Sequence, residues 1–359
     1  MSTDSCKSVA LSTKNAPEVM NEPLVSVVTP VYNTGEFLEQ AIRSVLEQTY
    51  RNFEYIICNN HSTDESGEIA ARYEALDPRI RVVQPPHFLP QAQNFNFALQ
   101  QISPESRYTK IILADDWLFS NCLQEMVARA EMSPKIGIVS SYNLIETEVH
   151  GSGLPVDKKV IAGRTVGRLH MLEGVWLFGS QSTVMYSSDV VRARAPRFYP
   201  EDRFYYDTDT AFQILVDHDF GFVHQVLTFT RYQPGSITHN ERDYLSREID
   251  RVLYVHQYGQ IYLTPDEFER TMSNAWRAYY GALGRQWLRD RFGKTNPQLW
   301  EYHKKRLAGI NMKIDPKRLA IAAAKALARE AAMPGELVWR LIQERRPRER
   351  PWDETHSSR

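Results

Sequence analysis

Two neighbouring carboxylates, Asp115 and Asp116, are the side chains whose type and position best suit chemistry. They follow an apolar run at residues 109–113 that predicts a buried strand. Carboxylates at the carboxyl end of a strand are well placed to hold a divalent cation, because such cations prefer oxygen ligands and leave positions open for phosphates. The alternative is structural, with the pair capping a helix predicted to begin near Ser120 or ending the strand.

Other patterns that carry chemistry are absent from the sequence. The three cysteines, Cys6, Cys58 and Cys122, are far apart and fit neither a zinc site nor a disulfide framework. No histidine pair has metal-ligand spacing, and neither a GxGxxG pattern nor a Walker phosphate loop occurs. So few cysteines in a chain of 359 residues predict a reducing, cytoplasmic location.

The composition is that of a protein that folds around a buried core. Apolar residues make up 42% of the chain and charged residues 24%, with a formal net charge of -1. This balance argues against nucleic acid as a partner, since no basic field is present to attract phosphates. No apolar run approaches the roughly 20 residues that span a bilayer. Residues 1–22 lack the apolar segment of a secretory signal and are predicted to form a disordered leader.

The positions of the candidate residues depend on an alternation of predicted strands and helices. The strands are predicted at residues 24–31, 53–58, 80–83, 109–113, 136–140 and 220–230, with helical patterns between most of them. This order predicts an α/β fold with a Rossmann-like, mostly parallel central sheet and helices on both faces. Ligands bind at the carboxyl ends of such strands, which places residues 30–33, 59–61 and 114–116 along one edge.

The second half of the chain has a different pattern. Residues 151–167 are rich in glycine and predict a mobile loop. Residues 239–345 are predicted to form a helical region, followed by a flexible tail at 346–359. Thr264, Pro265 and Glu267 form a capped start for one long helix. Over residues 313–350 an excess of basic residues accompanies an apolar stripe, which suits either an anionic membrane surface or packing on the rest of the protein.

Four segments, in the right order and spacing, resemble the family 2 inverting glycosyltransferases, which have the GT-A fold. They read VSVVTPVYN at 25–33, AIRSVLEQTY at 41–50, FEYIICNNHSTD at 53–64 and LADD at 113–116. The last segment falls where family members carry their metal-binding D-x-D. The resemblance is specific over residues 23–132 and extends in weaker form to residue 238, so a GT-A catalytic domain is expected at 23–238.

The resemblance implies which residues hold a nucleotide-sugar donor. Pro30 and Tyr32 would line the pocket of the base, with the Tyr32 ring against it. Asn60 stands where an aspartate usually reads the base edge. Asp115 stands at the metal-binding aspartate, which implies Mn²⁺ or Mg²⁺ as a cofactor. The other residues that the family pattern assigns to the donor are Asn33, Asn96, Ala114 and Asp116.

The same resemblance implies a catalytic base at the start of a later helix. In the segment YDTDTAF at 206–212, Asp209 falls at that position and Asp207 is the reserve, with helix capping as their alternative role. The implied reaction moves one sugar from a nucleotide diphosphate to an acceptor hydroxyl with inversion. Such enzymes serve cell-surface glycan biosynthesis, so a glycan, lipid-linked or protein acceptor is expected. A membrane role for the basic C-terminal segment would place the enzyme peripherally at the inner face of the cytoplasmic membrane.

Several positions depart from the family pattern and leave two alternatives. Leu113 replaces the first aspartate of the D-x-D, and Asn59 and Asn60 replace an acidic pair. These changes would also fit a nucleotide-sugar or glycan-binding module that has lost turnover. The other alternative is a sugar-phosphate nucleotidyltransferase, but residues 32–36 lack the basic, glycine-rich loop of those enzymes. The QxxRW signature of processive synthases is missing, which favours addition of a single sugar.

Overall fold

The computed structural model describes residues 22–178, 180–232, 244–292 and 295–332. The predicted leader, apart from residue 22, and the predicted flexible tail lie outside these residues. The strands of the described part are β1 Val25–Val31, β2 Phe53–Asn59, β3 Ile80–Val83, β4 Tyr108–Ile111, β5 Trp117–Leu118, β6 Ile136–Ile145, β7 Glu148–His150, β8 Val160–Ile161, β9 Met185–Ser187 and β10 Asp219–Thr230.

All of these strands belong to one mixed sheet. Its order is β3-β2-β1-β4-β9-β6-β10-β5, with β7 beside β6 and β8 beside β10. Strands β3, β2, β1 and β4 are parallel to one another, as are β6 and β10. Strand β9 joins the two parallel groups by running antiparallel to both β4 and β6. The expectation of a mostly parallel central sheet is therefore confirmed, with β9 as an insertion that the sequence pattern did not indicate.

Helices lie between and after the strands of the sheet. They are α1 Gly35–Leu46, α2 Ser66–Leu76, α3 Gln91–Leu99, α4 Cys122–Ala130, α5 Gly163–Glu173, α6 Ser188–Arg192, α7 Tyr206–Leu215, α8 Ser246–Tyr262, α9 Pro265–Phe292, α10 Pro297–Ala308 and α11 Pro316–Ala332, with a 3₁₀ turn at Gln181–Thr183. None of the helices in the described ranges has the length and apolar character needed to cross a bilayer.

The sheet is covered by helices on both faces, because successive side chains of a strand point to opposite sides. In β1, Val27 packs into the core under α1, α2 and α4, whereas Val28 packs into the core under α3, α5 and α7. Leu38 of α1 and Phe212 of α7 are fully buried in these two cores. Every residue of β1 is buried, as expected for a central parallel strand.

The C-terminal helices α8 to α11 build a further core of their own. Leu283 of α9 and Leu299 of α10 are fully buried in it. Helix α11 crosses α9 so closely that a Cβ on Gly284 would lie 2.7 Å from the backbone of Ala322. The apolar stripe of α11 is therefore divided, because Ala322 packs on this core while Ile321 and Leu327 face solvent.

Two local expectations have opposite outcomes. The capped start of the long helix is confirmed, because Thr264 N donates to Glu267 Oε2 at 3.1 Å and Glu267 N donates to Thr264 Oγ1 at 3.4 Å. The mobile loop at 151–167 is wrong in its second half, which contains β8 and the start of α5. The glycine at position 163 is used for close packing, since a Cβ there would clash with the carbonyl oxygens of Leu215 and His218.

Candidate active site

The carboxyl ends of β1, β2 and β4 lie side by side and form the edge that we call the donor rim. Val31 at the end of β1 is level with Asn59 at the end of β2. Val28 of β1 is level with Ile111, the last residue of β4. The residues that follow these strands, at 32–33, 60–61 and 112–116, are thereby brought to the same edge of the sheet, as the alternation of strands and helices predicts.

An exposed pair of aromatic rings marks one end of the donor rim. Tyr32 is 46% exposed and Phe88 is 52% exposed, with their ring centroids 4.9 Å apart in an edge-to-face arrangement. Two large rings that remain in water next to a strand edge are well suited to cover a planar ligand. Pro30, two residues before Tyr32, lies inside β1 and is buried. Phe88 carries no local sequence signal for such a role, because it is an isolated ring in a proline-rich loop.

Asn33 acts at the donor rim as a connector between two loops. Its backbone is in the left-handed region with φ of 50°, which asparagine tolerates better than most residues. Its Oδ1 accepts from Thr63 N at 2.8 Å, and its own N donates to Ser62 Oγ at 3.1 Å. Asn33 therefore ties the loop after β1 to the loop after β2.

The geometry of Asn60 argues against the base-reading role that the resemblance implied. Its Nδ2 donates to Leu89 O at 2.8 Å, and its Oδ1 accepts from Leu89 N at 2.9 Å. Its backbone N donates to Val31 O at 2.8 Å. Because both amide atoms are engaged and the side chain is buried, Asn60 holds the loop that carries Phe88 against the rim.

Asn96 and Ala114 are likewise buried and turned away from a ligand. Asn96 Nδ2 donates to Tyr199 O at 2.9 Å and to Glu201 Oε1 at 3.1 Å, and its Oδ1 accepts from Tyr199 N at 2.8 Å. Asn96 thus fixes the segment that leads to α7. The Ala114 side chain packs in the core under α1 and α4. Direct side-chain contact of either residue with a donor is not supported.

Asp116 is a buried anchor of the donor rim. It is 2% exposed and accepts bonds from Ser182 Oγ at 2.5 Å, Thr230 Oγ1 at 3.3 Å and Arg231 N at 3.1 Å. Loss of hydration and the neighbouring Asp115 carboxylate raise the pKa of Asp116 to about 7. A carboxylate held by three donors orients the chain around it, so Asp116 positions the turn that presents Asp115.

Lys110 holds the backbone of the 3₁₀ turn that contacts Asp116. It is fully buried within β4, and its Nζ donates to the carbonyl oxygens of Ser182 and Val184. Burial lowers the pKa of Lys110 to about 8. The lysine therefore fixes the 3₁₀ turn whose Ser182 hydroxyl bonds Asp116.

Asp115 is the carboxylate of the pair that remains available for a ligand. It is only partly buried, and no side chain of the described residues donates a hydrogen bond to its carboxylate. Loss of hydration raises its pKa, and the nearby Arg231 opposes that shift. The described residues contain no group of three acidic, histidine or cysteine side chains arranged so that they could hold a metal ion by themselves. One free carboxylate fits Mg²⁺ or Mn²⁺, since such ions take much of their coordination from substrate phosphates and water.

Arg231 is a residue of the donor rim that sequence reasoning missed. Its Nε donates to Asp115 O at 3.3 Å, and its Nη2 donates to Gln40 Oε1 at 2.9 Å. Its guanidinium lies 4.4 Å from the centre of the Phe37 ring. These contacts place a cation within reach of the Asp115 turn. Arg231 follows β10, more than a hundred residues along the chain, so no local pattern connects it with Asp115.

Asp209, the expected base, is fully engaged in the interior. It is 0% exposed, and its Oδ1 accepts from Arg203 Nη1 at 2.6 Å and from Tyr258 OH at 3.1 Å. Its Oδ2 accepts from Gln213 Nε2 at 2.8 Å. Burial raises the pKa of Asp209, and the Arg203 ion pair opposes the shift. The geometry argues against Asp209 as the base, because it could reach an acceptor only by breaking these bonds.

Asp207, the reserve candidate, has the properties expected of a base. It is partly exposed in the first turn of α7, and its Oδ1 accepts bonds from Thr208 N at 2.7 Å and Thr208 Oγ1 at 3.4 Å. Loss of hydration raises the pKa of Asp207 to about 6. A carboxylate with a pKa near the working pH accepts a proton more effectively than one at the ordinary value.

A series of ion pairs that passes through the exposed Asp202 connects α7 with the C-terminal helices. Arg203, which binds Asp209, also bonds Asp202 at 2.9 Å. Arg306 of α10 lies 3.9 Å from Asp202 and 2.8 Å from Asp250 of α8. The Arg306 side chain is 9% exposed and that of Asp250 is 1% exposed. These ion pairs therefore link the segment before α7, the helix that carries Asp207, to α8 and α10.

A family model for glycosyl transferase family 2 matches residues 26–194, which include the donor-rim residues after β1, β2 and β4 but not Arg231. The chain carries a family 2 glycosyltransferase domain. Among curated relatives, glycosyltransferase GlyG of Streptococcus pneumoniae is 27% identical over 230 residues, covering 61% of this chain and 74% of GlyG. Glycosyltransferase TuaG of Bacillus subtilis is 32% identical over 142 residues, which cover 39% of this chain and 54% of TuaG.

Solved structures of glycosyltransferases share the fold of this chain. S. aureus TarS in complex with UDP-GlcNAc has a TM-score of 0.56 at 15% identity, covering 84% of this chain and 87% of the TarS chain. The mannosyltransferase PcManGT of Pyrobaculum calidifontis, in complex with GDP-Man and Mn²⁺, has a TM-score of 0.51 at 18% identity, covering 92% of this chain and 86% of that one. The chain has a GT-A-like fold followed by a C-terminal helical region.

Proposed function

We propose that this glycosyltransferase moves a single sugar from a nucleotide-diphosphate sugar to an acceptor hydroxyl, with inversion and with help from Mn²⁺ or Mg²⁺. The observation that carries the proposal is the difference in hydrogen bonding between the Asp115 and Asp116 carboxylates at the donor rim. Asp116 is buried with three hydrogen-bond donors, which leaves Asp115 as a free carboxylate beside a guanidinium. This arrangement is suited to a cation and a diphosphate.

The donor would lie along the rim from the aromatic pair to Asp115. The base would contact the Tyr32 and Phe88 rings, which are exposed and packed edge to face. Asp115 would hold the cation, which when bound supplies Lewis-acid stabilisation to the departing diphosphate. Arg231 adds a fixed positive charge next to the same turn.

Asp207 would act as the base for the acceptor. The acceptor oxygen forms a bond to C1 of the donor sugar, and the bond from C1 to the phosphate oxygen breaks with its electron pair on the diphosphate. The hydroxyl proton passes to the Asp207 carboxylate. Attack from the face opposite the diphosphate inverts the anomeric centre. The raised pKa of Asp207 and its partial exposure support this role.

The acceptor and the location are also part of the proposal. We expect a glycan, a lipid-linked saccharide or a glycosylated protein that is assembled in the cytoplasm or at the inner face of the cytoplasmic membrane. The family assignment supports glycan synthesis in general.

A panel of nucleotide sugars, with and without Mn²⁺, tests the proposal by thermal stabilisation and by release of nucleoside diphosphate. Asp115→Asn should lose metal-dependent stabilisation, and Asp207→Asn should keep donor binding but lose about 10²–10⁴-fold in rate. Asp189→Asn is the matched control, because Asp189 is an exposed carboxylate 90% accessible to solvent. Binding without turnover of any donor would favour the degenerate module. Unchanged rates in both Asp115→Asn and Asp207→Asn would contradict the mechanism.

A further inference from the structure

A cleft of about 570 Å³ lies next to the donor rim, between the catalytic domain and the C-terminal helices. One wall consists of the first turn of α3 and the segment 201–206. The other wall consists of Tyr244 together with Asn296 and Gln298 at the start of α10. The cleft is therefore built jointly by the two parts of the chain, and the family 2 match, which ends at residue 194, does not include most of it.

The side chains of this cleft combine aromatic faces with amides. The rings of Phe204 and Tyr244 lie 6.0 Å apart at an angle of 39°. Tyr244 OH donates to Gln298 Oε1 at 3.0 Å, and Gln93 contributes a second amide from the opposite wall. An amide both donates and accepts, which matches the hydroxyl groups of a sugar. An aromatic face matches the C–H face of a pyranose ring.

The charges in the cleft favour a neutral ligand. Arg203 is neutralised by Asp202 at 2.9 Å and by Asp209 at 2.6 Å. Glu201 accepts bonds from two amides, Gln93 and Asn96, and its cationic partner Arg197, 4.0 Å away and 76% exposed, does not line the cleft. Among the described lining residues, the Glu201 carboxylate is therefore present while the Arg203 cation is already paired. A phosphate or a uronic acid would be repelled there.

The cleft is also close to the groups that carry out the transfer. Pro90, in its wall, follows Leu89, which Asn60 holds against the donor rim. Tyr206, in the same cleft, directly precedes Asp207. Two lining residues of the cleft are therefore direct chain neighbours of the loop held at the donor rim and of the proposed base.

We propose that this cleft is the acceptor site and that it binds the terminal neutral sugar of a glycan acceptor, with Tyr244 and Gln298 as specificity-determining residues. The inference rests on the proposed transferase function. It assigns the C-terminal helices a direct part in acceptor recognition, since Gln298 belongs to α10.

The test uses the full chain, the nucleotide sugar that it hydrolyses, and a panel of p-nitrophenyl glycosides of neutral sugars with p-nitrophenyl glucuronide as the acidic counterpart. We expect transfer to a neutral glycoside. Tyr244→Ala and Gln298→Ala should each raise KM for that glycoside by about tenfold, because they remove binding that is equal in the ground and transition states. The dissociation constant of the donor and its hydrolysis in water should stay unchanged.

Two surface variants control for general effects of the substitutions. Trp287→Ala removes an aromatic side chain of α9 that is exposed away from the cleft, and Gln101→Ala removes an amide beyond the far end of α3. Gln298 is exposed, so its variant should fold even if Tyr244→Ala has a lowered melting temperature.

The outcomes separate the two proposals. Unchanged KM in Gln298→Ala and in folded Tyr244→Ala would overturn the acceptor site. Two results would overturn the proposal that the acceptor is a neutral sugar. They are transfer only to the glucuronide, and hydrolysis of the donor without transfer to any neutral glycoside. Failure of the wild type to bind or hydrolyse any nucleotide sugar would instead overturn the proposed function.

Discussion

The buried ion pair between Arg306 of α10 and Asp250 of α8 leads to a quantitative prediction for Arg306→Met. This change keeps most of the side-chain volume but removes the cation that faces Asp250 at 2.8 Å. Asp250 is 1% exposed, and its Oδ2 already has no hydrogen-bond partner in the described part of the chain. Removing one partner of a buried ion pair costs about 3–5 kcal/mol, so a loss in the free energy of unfolding of that size is expected near neutral pH.

The loss should depend on pH in a defined direction. Burial raises the pKa of Asp250 and Arg306 opposes the shift, so in the variant the pKa rises further above the unfolded value of about 3.9. The folded variant then binds the proton of Asp250 more tightly than the unfolded chain. Its stability therefore falls as pH rises from about 4 through the folded pKa, by at most about 1.4 kcal/mol per pH unit.

Urea unfolding of the wild type and the variant at about pH 5 and about pH 8 measures this effect. The double variant Arg306→Met, Asp250→Leu should recover much of the loss, because it leaves no unpaired buried charge. Arg168→Met is the matched control. Its ion pair joins α5 to Glu267 of α9, and the Arg168 side chain is 44% exposed, so a smaller loss than for Arg306→Met is expected. Equal losses at both pH values, or no recovery in the double variant, would refute the reasoning.

Further predictions concern the C-terminal helices. Burial lowers the pKa of His303 to about 4, so the folded state binds fewer protons than the unfolded chain below pH 6.5 and loses up to about 3 kcal/mol as pH falls from 6.5 to 4. Melting temperatures of His303→Gln should fall less than those of the wild type over this window, and parallel curves would contradict this. Gly284→Ala should lower the free energy of unfolding, measured in urea, by about 1–3 kcal/mol, because the new Cβ would press on Ala322. An unchanged urea midpoint would contradict this and show that α11 can shift. Cosedimentation with anionic vesicles at low but not high salt is expected if the basic C-terminal segment binds membrane, each basic residue adding about 1 kcal/mol. Equal cosedimentation by a truncation after Asn311, which removes the whole segment, would exclude the segment as the cause.

The fold was largely predictable because its signals are local. The apolar runs of β1, β2 and β4 and the helical stripes between them are periodic patterns within a few residues, and they predict a parallel sheet with a common ligand edge. The capped start of α9 is also local, since Thr264 and Glu267 lie three residues apart. Strand β9 was missed because it is three residues long and runs antiparallel between two parallel groups.

Sequence by itself determined that carboxylates stand at the end of β4 and in the first turn of α7, but it could not rank them. Asp115 and Asp116 are neighbours of identical type, and the structure separates them only because Ser182 and Thr230 reach Asp116 from distant parts of the chain.

The same reason applies to Asp207 and Asp209, and to the amide of Asn60. Arg203 and Tyr258 occupy Asp209, whereas Asp207 stays partly exposed. Both amide atoms of the Asn60 side chain are hydrogen-bonded to the backbone of Leu89. Hydrogen-bond partners of this kind are brought together by packing, and a carboxylate or an amide is available for chemistry only where packing has left it without them. Local residue type and spacing do not encode that availability, so only the tertiary structure decided it.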